Sequence, residues 1–128
     1  MSFEGIWVNG AWHSGAPYSP ATRKGPFVFA SGAVPVDRVT GATAGTDIAE
    51  QTNHVIDNLE AVLDAAGATL ADVVKTTVFL TDQSLAAGMN LAYAERFKPP
   101  RPARSTVVVG PLARPEFLIE IEAVALTS

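Results

Sequence analysis

Six arginines stand at positions 23, 38, 96, 101, 104 and 114, and four of them crowd between Arg96 and Arg114. Arg104 opens a run of β-branched residues, an unusual place for an isolated cation. Glu120 and Glu122 alternate along the last apolar stretch, so they share one face of a strand. If the two strands are neighbours, Arg104 meets a carboxylate, and the pair has two readings. It is either a structural ion pair, or Arg104 forks onto the carboxylate or phosphate of a small anion while Glu120 positions a water. His13 and His54 lie far apart and outside any HExxH-like spacing, which gives no support for a metal site. The chain has no cysteine, so thiolate metal sites, disulfides and a cysteine nucleophile are excluded. No GxSxG, GxxxxGK[ST] or GxGxxG occurs, and nucleotide cofactors have no support.

The elements that must position these groups come from one domain, since 128 residues suffice for one core. Hydrophobic residues make up 48% and charged residues 17%, a globular balance. The formal charge of −4 argues against a general nucleic-acid binder, which needs a basic face. Met1 to Ala11 lacks a signal-peptide pattern, and no run approaches the roughly eighteen apolar residues of a membrane span. The expected location is the cytoplasm, with no membrane partner.

Ile6 to Trp12 reads as an N-terminal hairpin turning at Asn9-Gly10, within an extension over residues 1–14. Pro17, Pro20 and Pro26 suggest irregular chain until a short strand, Phe27 to Ala30, that ends at Ser31-Gly32. A helix follows, with Asp47 and Glu50 at capping-box spacing or Thr46 as the cap one residue earlier, apolar steps from Ile48 to Ala66, and Gly67 as left-handed cap. A strand is expected over Val73 to Leu80 and a second helix over about Ser84 to Lys98. Leu85, Met89, Ala92 and Phe97 face inward there, and Pro99-Pro100 stops the helix. Arg104 to Val109 and Phe117 to Leu126 close the chain. The order ββαβαββ predicts an α+β domain, one sheet with helices on one face.

The last strand carries apolar residues on both faces: Phe117, Ile119, Ile121, Ala123 and Ala125 on one, Leu118, Val124 and Leu126 on the other. Val74, Val78 and Leu80 are read as opposing Val73 and Phe79 in the same way. Two helices cover one face only, so either long loops or other copies of the chain cover the second.

Four stretches in order resemble the Rid family, the YjgF-type reactive intermediate deaminases. They are Gly15 to Ala21 with Gly25 to Asp37, Val74 to Asp82, Asn90 to Tyr93, and Pro102 to Val109 with Leu112 and Ile119 to Ala123. The match spans about residues 15 to 126. The resemblance implies a chorismate-mutase-like single domain over 1–128, a mainly antiparallel sheet with two helices on one face, assembled as a homotrimer with clefts between subunits. It implies hydrolysis of enamine and imine acids, such as 2-aminoacrylate and 2-iminopropanoate, to 2-keto acids and ammonia, without a cofactor. The partner is then a small anionic imine or keto acid.

By the same resemblance Arg104 holds the substrate carboxylate and Glu120 orients water, with Tyr18, Ser31, Gly32, Asn90 and Thr106 lining the cleft. Taken alone, Gly32 is an ordinary turn residue and Tyr18 a packed aromatic. Two positions depart from the pattern: Thr106 stands where many relatives carry Cys, and Ala33 replaces a frequent glutamine. The Trp7–Trp12 segment is no family hallmark. Competing functions are a non-catalytic carboxylate-binding or protein-interaction trimer, and an endoribonuclease or translation inhibitor.

Overall fold

A computed structural model describes residues 2–127; Met1 and Ser128, the ends of the stretches 1–14 and 1–128 read above, lie outside the described residues. Six strands and two helices follow in the order β1 (Glu4–Ile6), β2 (Ala21–Lys24), β3 (Phe27–Ala33), α1 (Ile48–Ala65), β4 (Val73–Leu80), α2 (Ala86–Arg96), β5 (Ala103–Val108) and β6 (Ile119–Leu126). They form a single α+β domain. The sheet runs β1-β2-β3-β6-β4-β5, antiparallel except where β5 lies parallel to β4. No helix among the described residues is long and apolar enough to cross a membrane.

Side-chain alternation decides what the helices cover. Along β6, Ile119, Ile121, Ala123 and Ala125 are buried, while Glu120, Glu122, Val124 and Leu126 point the other way. Val55, Ile56, Leu59 and Leu63 of α1 supply the facing apolar stripe. That helix starts where its residues say it should. Asp47 Oδ1 accepts from the Glu50 N–H at 2.8 Å, and Glu50 Oε1 accepts from the Asp47 N–H at 3.4 Å, closing the capping box. It ends in a Schellman turn: Ala68 N–H reaches Leu63 O at 2.8 Å, Gly67 N–H reaches Asp64 O at 3.0 Å, and Gly67 takes φ +83°. Gln51 interrupts the apolar stripe yet is buried. Its amide donates to Gly45 O and Glu116 O and accepts from the Leu118 N–H, which ties the approach to β6 onto the helix.

Four expectations need correction. The N-terminal hairpin does not form. Asn9-Gly10 is a turn, closed by Ala11 N–H to Val8 O at 3.1 Å, but only the glycine takes positive φ, and type I′ requires it of both residues. The segment before the turn instead pairs as β1 with β2, which places Ile6 opposite the fully buried Ala21. The prolines also do not keep residues 21–24 irregular. Pro20 and Pro26 flank β2, and their carbonyls accept the N–H groups of Ser31 (3.0 Å) and Thr127 (2.8 Å), so no missing donor falls inside the ladder. In β4 a register shift between Val73 and Lys75 puts Val73 with Thr76, Val78 and Leu80 on the covered face and leaves Val74 exposed. Finally, β5 and β6 are not neighbours, because β4 lies between them.

Candidate active site

The fourth correction moves Arg104. In the parallel pairing it sits opposite Thr76, whose side chain is buried under the helices, so Arg104 and Thr106 lie on the helix side of the sheet. The guanidinium carbon of Arg104 stands 4.9 Å over the Tyr93 ring, and Nη1 lies 3.9 Å from Met89 Sδ. Tyr93 is itself fixed by a 2.7 Å hydrogen bond between its hydroxyl and Thr76 Oγ1, in a setting where burial raises the phenol pKa. Arg96 pairs with Asp57 (2.8 Å) and Glu60 (3.6 Å), and among the described residues no ion pair involves Arg104. The structural Arg–Glu pair is therefore absent. Arg104 presents a guanidinium with an aromatic support and no carboxylate.

Asn90 is exposed on α2, next to Met89 and one turn before Tyr93. Arg104, Thr106 and Asn90 thus belong to one corner of the fold, the outer edge at β5 and α2. Strand β5 is solvent-exposed along its whole length.

Glu120 occupies the opposite face. Its neighbours in the β4 ladder put Glu120 beside Phe79 and Glu122 beside Thr77. The register of β3 against β6 shifts between Ala30 and Ala33, where Ser31 and Gly32 bulge. A Cβ on Gly32 would collide with the Glu120 carboxylate, so the glycine is what lets the acid lie against the backbone. Partial burial is the main reason the Glu120 pKa is raised, and the charge of Glu122 adds to it. Ser31 is anchored by its Oγ donating to Ser19 O at 2.7 Å. Tyr18 projects beside the same bulge and lines one cavity with Ser31 and Gly32.

The sequence-derived residues therefore fall into two half-sites. Tyr18, Ser31, Gly32 and Glu120 gather around the β3 bulge, and Arg104, Thr106 and Asn90 gather at the β5 edge. One chain does not bring the halves together. Reasoning from sequence missed Tyr93 and Met89 as the seat of Arg104; the inward spacing of Met89 was visible, but the strand it meets was not. It also missed a cluster of rings, in which His13 stands 4.7 Å from both Trp7 and Tyr18.

The family model described as endoribonuclease L-PSP matches residues 9–127. A RutC family protein of Pyrococcus abyssi is 45% identical over 125 residues, 98% of each chain. The 3-aminoacrylate deaminase RutC of Acinetobacter baylyi is 42% identical over 110 residues, 86% of each chain. Among solved structures, a Rid-family protein of unknown function from Yersinia pestis superposes with a TM-score of 0.92 at 38% identity, covering 98% of this chain and 100% of that one.

Proposed function

This chain belongs to the Rid family, and we propose that it is a deaminase that hydrolyses enamine and imine acids to keto acids and ammonia in clefts between subunits of a homotrimer. The observation that carries the reading is the separation of an unpaired guanidinium, Arg104, from a half-buried carboxylate, Glu120, on opposite sides of one sheet. A site that uses both must draw them from two copies. The open sheet face supplies a reason to associate, since it carries Phe27 stacked 6.3 Å from Phe29, together with Val107, Val124 and Leu126. The similar 3-aminoacrylate deaminase acts on an enamine acid by its name, which supports that substrate class here.

The chemistry asks little of the protein. Arg104 takes the substrate carboxylate through two parallel N–H donors and so fixes the C=N carbon. Gly32 leaves room at the backbone for the reacting end, and Ser31 and Asn90 supply neutral hydrogen bonds. Glu120 accepts a proton from the attacking water, whose oxygen bonds to the imine carbon, and passes it to nitrogen to give the carbinolamine. A second proton then moves from the hydroxyl to nitrogen as the C–N bond breaks, so the carbonyl forms and ammonia leaves. Water and imine acid are consumed one for one, and keto acid and ammonia appear. Placement of such a base contributes about 10²–10⁴-fold, and its raised pKa makes Glu120 a stronger base than an exposed glutamate.

The test is keto-acid formation from imines made in place by an amino-acid oxidase, and from aminoacrylates. Arg104→Ala is expected to cost at least about 100-fold in kcat/KM while the oligomer persists, as loss of a charged contact to the substrate does. Full activity of that variant overturns the mechanism. Wild-type protein inert on every imine but binding keto acids tightly would favour a carboxylate-binding trimer. RNA cleavage surviving repurification would favour the nuclease of the family's description, against the acidic net charge of −4.

A further inference from the structure

Next to Ser31 and Gly32 the protein contains a cavity of about 120 Å³ whose outer wall is aromatic: Trp7, Trp12, His13 and Tyr18 all line it. Resting on the deaminase reading, we infer that this cavity receives the side chain of the substrate, and that the preferred imine acids carry an aromatic ring instead of a methyl group.

The walls are held in place by contacts that owe nothing to the sheet ladder. Trp12 lies flat against Gly41, where a Cβ would strike the indole, and the Arg114 guanidinium covers its ring at 5.4 Å. The Trp12 N–H donates to Arg38 O at 2.8 Å, which pins the N-terminal segment to the loop after β3. The floor is fixed by Asn58, whose amide donates to Val34 O and Val36 O, each at 2.9 Å. His13 is clasped by Trp7 and Tyr18. Its Nδ1 already accepts the Gly15 N–H at 2.9 Å, and its Nε2 is buried with no polar partner. Nδ1 is engaged and Nε2 lies beneath the surface, so the ring itself is what His13 contributes to the cavity wall. Trp7 and Tyr18, by contrast, are 54% and 47% exposed, which leaves their rings free to meet a ligand.

Size points the same way. A dry apolar cavity of about 150 Å³ accommodates benzene, so 120 Å³ open at one side suits one ring. A methyl group would leave most of that space to water against apolar walls. Aromatic rings prefer tilted and offset neighbours, and the Trp7–His13 and His13–Tyr18 planes already meet at 59° and 49°. Arg38, exposed where it lines the cavity, can place a cation on the face of the same ring. Gly32 lines the cavity and also meets Glu120, so the cavity adjoins the carboxylate across the β3 bulge, with its floor on the helix side at Asn58.

The experiment compares imines derived from phenylalanine and from alanine by an amino-acid oxidase. The full-length wild type is expected to favour the phenylalanine-derived imine by about tenfold or more in kcat/KM. Trp7→Ala should lower kcat/KM about tenfold more on the phenylalanine-derived imine than on the alanine-derived one, and Trp7→Phe should keep the preference. Equal rates on the two imines, or an equal loss on both in Trp7→Ala, overturns the inference. Hydrolysis of neither imine would defeat the deaminase reading. Binding then decides this one by itself: phenylpyruvate should bind more tightly than pyruvate by calorimetry and lose that advantage in Trp7→Ala. Equal binding of the two keto acids, or none, overturns it.

Discussion

On the helix side of the sheet Val28, Val78, Ile119 and Ile121 have no exposed surface, whereas on the other side Phe27, Phe29 and Val107 remain 45%, 48% and 40% exposed. The same strands make both faces, and the same two-residue alternation fills each with apolar groups. The difference is cover. Two helices seal the first face, and among the described residues nothing seals the second. The candidate site divides along the same line. Arg104, backed by Tyr93 and Met89, belongs to the covered side at its exposed edge, and Glu120, packed on Gly32, belongs to the open side. A fold that completes one face alone leaves its chemistry half-assembled.

The contrast is broken most severely at the open face. Phe29→Glu is expected to convert the proposed trimer to monomer in light scattering and to abolish the proposed imine hydrolysis, while circular dichroism stays native, because the covered core is untouched. An assembled and active Phe29→Glu protein would mean that this face is not the interface. On the covered face the effect is on folding: Ile121→Ala should cost about 2–5 kcal/mol in denaturant titration. Val124→Ala, on the open face of the same strand and paired with Phe29, should instead weaken association.

How much of this was legible in the sequence follows from how local each feature is. The start and end of α1 were readable because Asp47, Glu50 and Gly67 act on backbone groups within one turn. Strands β4 and β6 announced themselves by composition. Short-range rules failed where a distant partner decided the outcome. Asn9-Gly10 promised a hairpin, yet Ile6 gains more by pairing beside Ala21. Val73 and Val74 exchanged faces through a bulge set by β6. Most consequential was the strand order. Nothing local to Arg104 says that β4 lies between it and Glu120, so an ion pair looked plausible that the topology forbids. The chemistry of the two residues could be read in sequence, and their placement on different faces could not.

A smaller effect sharpens the comparison at Glu120 itself. Burial, and then the negative charge of Glu122, raise its pKa. As a proton acceptor it works only when deprotonated, so kcat/KM should fall as pH drops through a limb lying above the usual glutamate range. Glu122→Gln removes the repulsion and should move that limb to lower pH. The stability sign is opposite to that of a salt-bridged acid: a raised folded pKa destabilises the protein above the unfolded pKa of Glu120, and this cost disappears below it. A limb that does not move in Glu122→Gln would take Glu120 out of the rate-determining protonation.

The central claim is that Arg104 and Glu120 of one active site come from different copies of the chain. Arg104→Ala and Glu120→Gln proteins, each inactive alone, should be co-refolded in equal amounts and assayed for imine hydrolysis. Random mixing restores both intact halves at about one cleft in four, so about a quarter of wild-type activity should return. Activity that stays at the level of the separate variants, in mixed oligomers verified by native mass spectrometry, would contradict the account.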